Sequence, residues 1–151
     1  MAFDRILVPV DYSAHSLKAV GYAAELAQRL GASLDIVHVW DRPTYISDAV
    51  LVGHGAEQRS LAEMIRDNAK ADMKEFLSKV TLATGVTATD RLLSGDPASV
   101  ILKELDTLEY DLVVIGTHGR GGLAHLLLGS VAEKLVRHSK VPVLTVPRSA
   151  T

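Results

Sequence analysis

The 151-residue chain contains no cysteine. Disulfides, thiolate metal sites and thiol nucleophiles are thereby excluded together, and a reducing compartment is compatible. Neither sign of charge is in excess: a formal net charge of -2 gives no whole-protein drive toward nucleic acid or anionic membrane. Long apolar runs are missing too. The opening MAFDRILVPVDYS holds only Ile6 to Val10 before Asp11, and no later run approaches the roughly 20 apolar residues of a spanning helix. A soluble, cytoplasmic protein without nucleic-acid binding or membrane insertion is expected.

What is present suits one globular domain over residues 1–151: 48% of residues are hydrophobic and 23% charged. Four short segments rich in Val, Ile and Leu read as buried strands: Phe3 to Val10, Ser33 to Trp40, Tyr110 to Gly116 and Val141 to Pro147. Val86 to Leu93 is a weaker fifth. Runs that are apolar without alternation point to a sheet covered on both faces. Leu17, Val20, Gly21, Ala24 and Ala27 recur at helical spacing between an N-cap at Ser13 and a stop at Gly31. Leu61 to Val80 carries a second helical pattern, Asp96-Pro97 opens a third in the N-cap then N1 arrangement, and Ser130 with Glu133 has capping-box spacing for a fourth. Strands and helices therefore alternate, which requires a mainly parallel sheet with right-handed crossovers. Asp41 to Gly55, with Pro43, Gly53 and Gly55, has no period and reads as a long surface loop.

In such a sheet the carboxyl ends of the strands form the ligand-binding rim. That rim gathers Pro9-Val10-Asp11, His38-Val39-Trp40 and the stretch GTHGRGGLAHLLLGS from Gly116 to Ser130. Glycines admit close approach of backbone N–H groups, and a helix starting near Ser130 adds partial positive charge, so the stretch suits a phosphate. No Gly is followed by Lys, which leaves Walker-type hydrolysis unsupported. Gly119 to Ala124 fits a dinucleotide fingerprint, yet the next strand has no acid to grip a ribose. GxSxG is absent. His118, His125 and His138 lack the spacing of a protein zinc site. His38, inside a strand, reads as a satisfied core histidine.

One spacing does fit: Gly116, two residues, Gly119, nine residues, Gly129-Ser130. Together with RILVPVDYS, DIVHVW and SGDPASVI, it resembles the universal stress protein family, in its ATP-binding branch. The resemblance implies a Rossmann-like, adenine nucleotide alpha hydrolase-like α/β domain: a five-stranded parallel sheet in the order 3-2-1-4-5 with helices on both faces. It implies that Asp11 lies by the ribose and a bound Mg2+, and that Pro9, Val10 and the backbone at Val39 line the adenine pocket. Ile115, Gly116, Thr117, His118 and Gly119 match the ribose and first-phosphate segment, and Gly129, Ser130 and Val131 the polyphosphate end. Arg120, in the glycine loop, can meet a phosphate.

Bland alternatives stand beside these roles. Asp11 also suits a helix cap, Ser130 an N-cap, and Gly116 and Gly119 a simple turn. The implied final strand, Val141 to Val146, is an apolar edge, a pairing hazard unless covered; the family resolves this by pairing the last strands of two subunits. The expected function is a dimeric stress-response module whose binding of ATP, ADP or AMP is linked to a protein partner such as a transporter or enzyme. With no general base or catalytic-loop signature, ATP turnover is expected to be slow or absent. The alternatives are a weak ATPase or nucleotide transferase using metal at Asp11, and an interaction protein with a vestigial pocket.

Overall fold

A computed structural model describes residues 3–40, 47, 49–117 and 128–147. Its main sheet holds β1 (Arg5–Pro9), β2 (Ser33–Trp40), β5 (Ala88–Ser94), β6 (Leu112–Gly116) and β7 (Val143–Val146), in the order β5-β2-β1-β6-β7. All four pairings are parallel. Each crossover therefore needs a helix: α1 (Ala14–Leu30), α2 (Leu61–Ser78), α3 (Pro97–Thr107) and α4 (Ser130–His138).

The apolar strands bury both faces, and alternation decides which residue goes where. Ile6, Val8, Ile36 and Val114 pack with Val20, Met73 and Phe76 from α1 and α2. Leu7, Val37, Val113 and Ile115 pack with Ile101, Leu105 and Leu135 from α3 and α4. No helix among the described residues is long and apolar enough to cross a membrane.

The expected helix signals act locally at α1 and α3. Ser13 accepts from the Ser16 N–H at 3.1 Å, Gly31 closes α1 at φ 71°, and Asp96 accepts from the Ser99 N–H at 3.0 Å. The hydrogen bonds from the Ser99 side chain and backbone hold the Asp96 carboxyl below its usual range.

Two expectations are corrected. Part of the segment read as a loop is regular: β3 (Leu51–Val52) pairs antiparallel with β4 (Arg59–Ser60) around a short 3₁₀ turn. Two-residue strands carry too little alternation to be seen in sequence. The second correction concerns Ser130, which is the first helical residue of α4; the cap is Gly129, without any side-chain cap bond. Glu133 turns to Arg137 at 3.0 Å, so the box does not form.

A buried polar network was not anticipated. Asp35, 6% exposed in mid-β2, accepts from Thr89 at 3.1 Å, from Arg91 at 3.0 Å and from the Tyr110 hydroxyl. Arg91 also reaches Glu104 at 2.7 Å, tying β5 to α3.

Candidate functional site

Parallel strands all end at one rim, and the starts of α1, α3 and α4 meet there. Between them lies a cleft of about 140 Å³. Its walls include Pro9, Val10 and Asp11 after β1, Val39 on β2, Ile115 and Gly116 at the end of β6, and Gly129, Ser130 and Val131 at the start of α4. Thr117 is buried beside it, its carbonyl accepting from the Gly129 N–H at 2.5 Å, which closes the neck of the glycine loop. His118, Gly119 and Arg120 lie outside the described residues.

Ser16, Val37, Pro97, Ile101 and Ala132 complete the wall and were not singled out from sequence. A signal existed for Pro97 and Ile101. Every helix following a strand in a parallel sheet starts at this rim, and Asp96-Pro97 announced such a start.

The three helix starts differ electrically. The cap side chains of α1 and α3 each take a first-turn N–H, whereas α4 has a bare glycine cap. Its first internal bond is Glu133 N–H to the Gly129 carbonyl at 2.9 Å. The N–H groups of Ser130, Val131 and Ala132 therefore sit at the positive end of the helix with no side-chain acceptor among the described residues. Apolar walls and one uncapped helix start suit a ligand with a flat apolar part and an anionic tail.

Asp11 does not cap α1. Its Oδ1 accepts from the Ser13 N–H at 3.0 Å, holding the turn that follows β1. Among the described residues no group of three His, Cys, Asp or Glu could hold a metal ion. His38 is half-buried, its Nδ1 2.8 Å from the Val10 carbonyl oxygen, consistent with a satisfied histidine.

Gly116 has a packing role besides lining the cleft. A Cβ there would stand 3.1 Å from the His15 carbonyl oxygen and 3.2 Å from its carbon, because β6 ends against the backbone of α1. Gly116→Val is accordingly expected to lower unfolding free energy by about 1–3 kcal/mol through overpacking alone. Urea denaturation checks it; a variant as stable as wild type would show that the close approach relaxes freely.

A doubly wound parallel sheet with such a cleft at its rim defines an open α/β domain whose cleft lies where such sheets receive ligands. Comparison with known proteins is more specific. The model of the universal stress protein family matches residues 2–147. Universal stress protein MJ0531 of Methanocaldococcus jannaschii is 30% identical over 146 residues, covering 97% of this chain and 83% of that protein. Universal stress protein YxiE of Bacillus subtilis is 32% identical over 147 residues, covering 95% and 99%. Among solved structures, UspA from Lactobacillus plantarum superposes with a TM-score of 0.72 at 24% identity, over 97% of this chain and 99% of that one. A universal stress protein solved in complex with cAMP has a TM-score of 0.68 at 26% identity, covering 97% and 98%. The chain belongs to the universal stress protein family.

Proposed function

We propose that the protein binds an adenine nucleotide in this cleft and acts as a dimeric regulatory module of the stress response. The observation that carries the reading is the uncapped first turn of α4 opening into an otherwise apolar cleft. The base would lie against Val10, Val39 and Ile115, the ribose toward Asp11 and Gly116, and the phosphates at Gly129, Ser130 and Val131, with Thr117 alongside. The cAMP bound by a relative supports an adenine ligand.

Mg2+ fits this arrangement. A magnesium ion is commonly held by one or two carboxylates plus substrate phosphates and water, so Asp11 alone suffices on the protein side. The ion would neutralise phosphate charge. Asp11 is the one titratable side chain among the described residues lining the cleft, which favours binding with slow hydrolysis at most. A weak ATPase would instead show multiple turnovers that vanish in Asp11→Asn while binding partly survives.

The test is to purify the protein without added nucleotide, denature it, identify released nucleotides by chromatography, and titrate the emptied protein with ATP and Mg2+ in a calorimeter. Recovered adenine nucleotide, or a saturable heat, supports the reading. Neither would replace it with an interaction protein whose pocket is vestigial.

For the dimer, β7 pairs with β6 on one side only among the described residues, and Leu144 and Val136 on or beside it are 39% and 49% exposed. An apolar open edge favours pairing with a second copy. Leu144→Lys is expected to move the sedimentation coefficient from dimer to monomer at micromolar concentration. An unchanged coefficient would remove β7 as the interface. Nucleotide binding would then shift the population of partner-competent conformations.

A further inference from the structure

The ladder between β1 and β2 stops one bond short. It runs from Arg5 opposite Ser33 to Pro9 opposite Val37, and the Val10 N–H extends it by donating to the Val37 carbonyl at 2.9 Å. In a parallel pair, a residue that donates to one carbonyl accepts through its own C=O from the N–H two positions further along. The donor due to Val10 is therefore the Val39 N–H. That bond is not made. The Val10 carbonyl instead receives the His38 imidazole, with Nδ1 at 2.8 Å; a carbonyl only accepts, so Nδ1 carries the proton.

The ring is held in that position. Tyr12 adopts φ 65°, a left-handed conformation uncommon for a bulky residue, and stacks on His38 with ring centroids 4.0 Å apart. Phe76 of α2 lies behind it, its ring 5.5 Å from that of Tyr12.

The consequence falls on Val39. Even-numbered residues of β2 turn their backbone groups to β5, as Leu34 and Trp40 do, and odd-numbered ones turn theirs to β1. Past the end of β1, the N–H and C=O of Val39 face the cleft. Among the described residues no carbonyl takes that N–H, although Val39 is 7% exposed. Orphaned N–H groups at buried positions are rare and call for a partner.

We infer that His38 is a positioning residue: stacked on Tyr12, its imidazole holds the Val10 carbonyl toward its own Nδ1–H, so that the carbonyl is not presented to the Val39 N–H and the Val39 backbone edge stays open for the base of the ligand. The open edge offers a donor beside an acceptor, the complement of a heterocycle carrying a ring nitrogen next to an amino group, as adenine does. The identity of the ligand rests on the nucleotide reading; the open edge does not.

The experiment is amide hydrogen exchange by NMR on the nucleotide-free protein, with His38→Phe and His38→Asn, alongside AMP and tripolyphosphate titrations. In wild type, Val39 is expected to exchange at least 100-fold faster than Val37. His38→Phe keeps a ring against Tyr12 but cannot donate, so Val39 should become as protected as Val37. Its AMP affinity should fall at least tenfold while tripolyphosphate binding changes less than twofold. His38→Asn restores a donor near the Nδ1 position and should return both the fast exchange and the AMP affinity to within threefold. A Val39 amide already protected in wild type, or unchanged in His38→Phe, overturns the inference, and wild type alone decides this if the phenylalanine variant does not fold. Exchange as expected with no binding of AMP or tripolyphosphate would uphold the open edge and overturn the nucleotide reading.

Discussion

Replacing Asp35 with alanine is expected to lower the free energy of unfolding by about 3 kcal/mol, at the lower end of what breaking a buried ion pair costs. The substitution leaves Arg91, Thr89 and the Tyr110 hydroxyl without their common acceptor. The effect is moderated because Arg91 keeps Glu104 and is 32% exposed. For a chain of this size the melting temperature should fall by roughly 6–12 °C. Asp35→Asn, which still accepts, should fall between the two.

The pH dependence has a definite sign at each end. Burial pushes the Asp35 carboxyl up, but hydrogen bonds from Tyr110 and Arg91, the Arg91 charge and Thr89 together pull it lower still, below its ordinary 3.8. Its contribution is therefore whole above that value and is lost as pH falls through the lower folded pKa. Tyr110 is pushed from 10.0 up to about 12 by burial and by its bond to Asp35, so its contribution is whole below its ordinary value and is lost as pH rises through about 12. The stability gap between wild type and Asp35→Ala should be flat from about pH 5 to 9 and shrink toward both extremes. Urea titrations in acid, neutral and alkaline buffer measure it. A gap below about 0.5 kcal/mol at neutral pH, the scatter of ordinary surface substitutions, would mean the network contributes nothing net.

Ser130→Asp should change stability and affinity in opposite directions. A carboxylate in the first turn of α4 meets the positive helix end and should stabilise the free protein by about 0.3–1 kcal/mol. The same carboxylate would repel the polyphosphate, costing about 3 kcal/mol, or roughly 100-fold in the ATP dissociation constant. Adenosine, which has no phosphate, should bind within about threefold of wild type. Thermal melts of the free protein and calorimetry with both ligands measure the split. Equal ATP affinities in the two proteins would place the phosphates elsewhere, whatever happened to the melting temperature.

Much of this protein was legible as local pattern. The strand over Ser33 to Trp40 appears with the bounds read from its apolar run, and Ser13, Gly31 and Asp96 sit where caps were expected. Each signal concerns groups within a few residues of one another, so chain spacing alone specifies it. The glycine spacing from Gly116 to Ser130 likewise pointed to the family that the comparisons establish. Ser130 misled because a side chain three residues before a glutamate suits a capping box equally well whether it stands at the cap or one step inside the helix. That step is settled where α4 docks, with the Gly129 N–H held by the Thr117 carbonyl.

The sequence by itself determined the order of the five main-sheet strands and four helices, the two-sided burial of the sheet, the glycine spacing from Gly116 to Ser130 and the family. Only the tertiary structure decided which of the three helix starts at the cleft remains uncapped, how closely a side chain at Gly116 would approach the His15 backbone, and how His38 comes to hold the Val10 carbonyl. It alone revealed that Asp35, an acid in an apolar strand, meets partners 54, 56 and 75 residues away. The physical reason is range: caps and periodicities are fixed by neighbours along the chain, whereas a buried carboxylate or an orphaned N–H is defined by groups that only folding brings within hydrogen-bond reach.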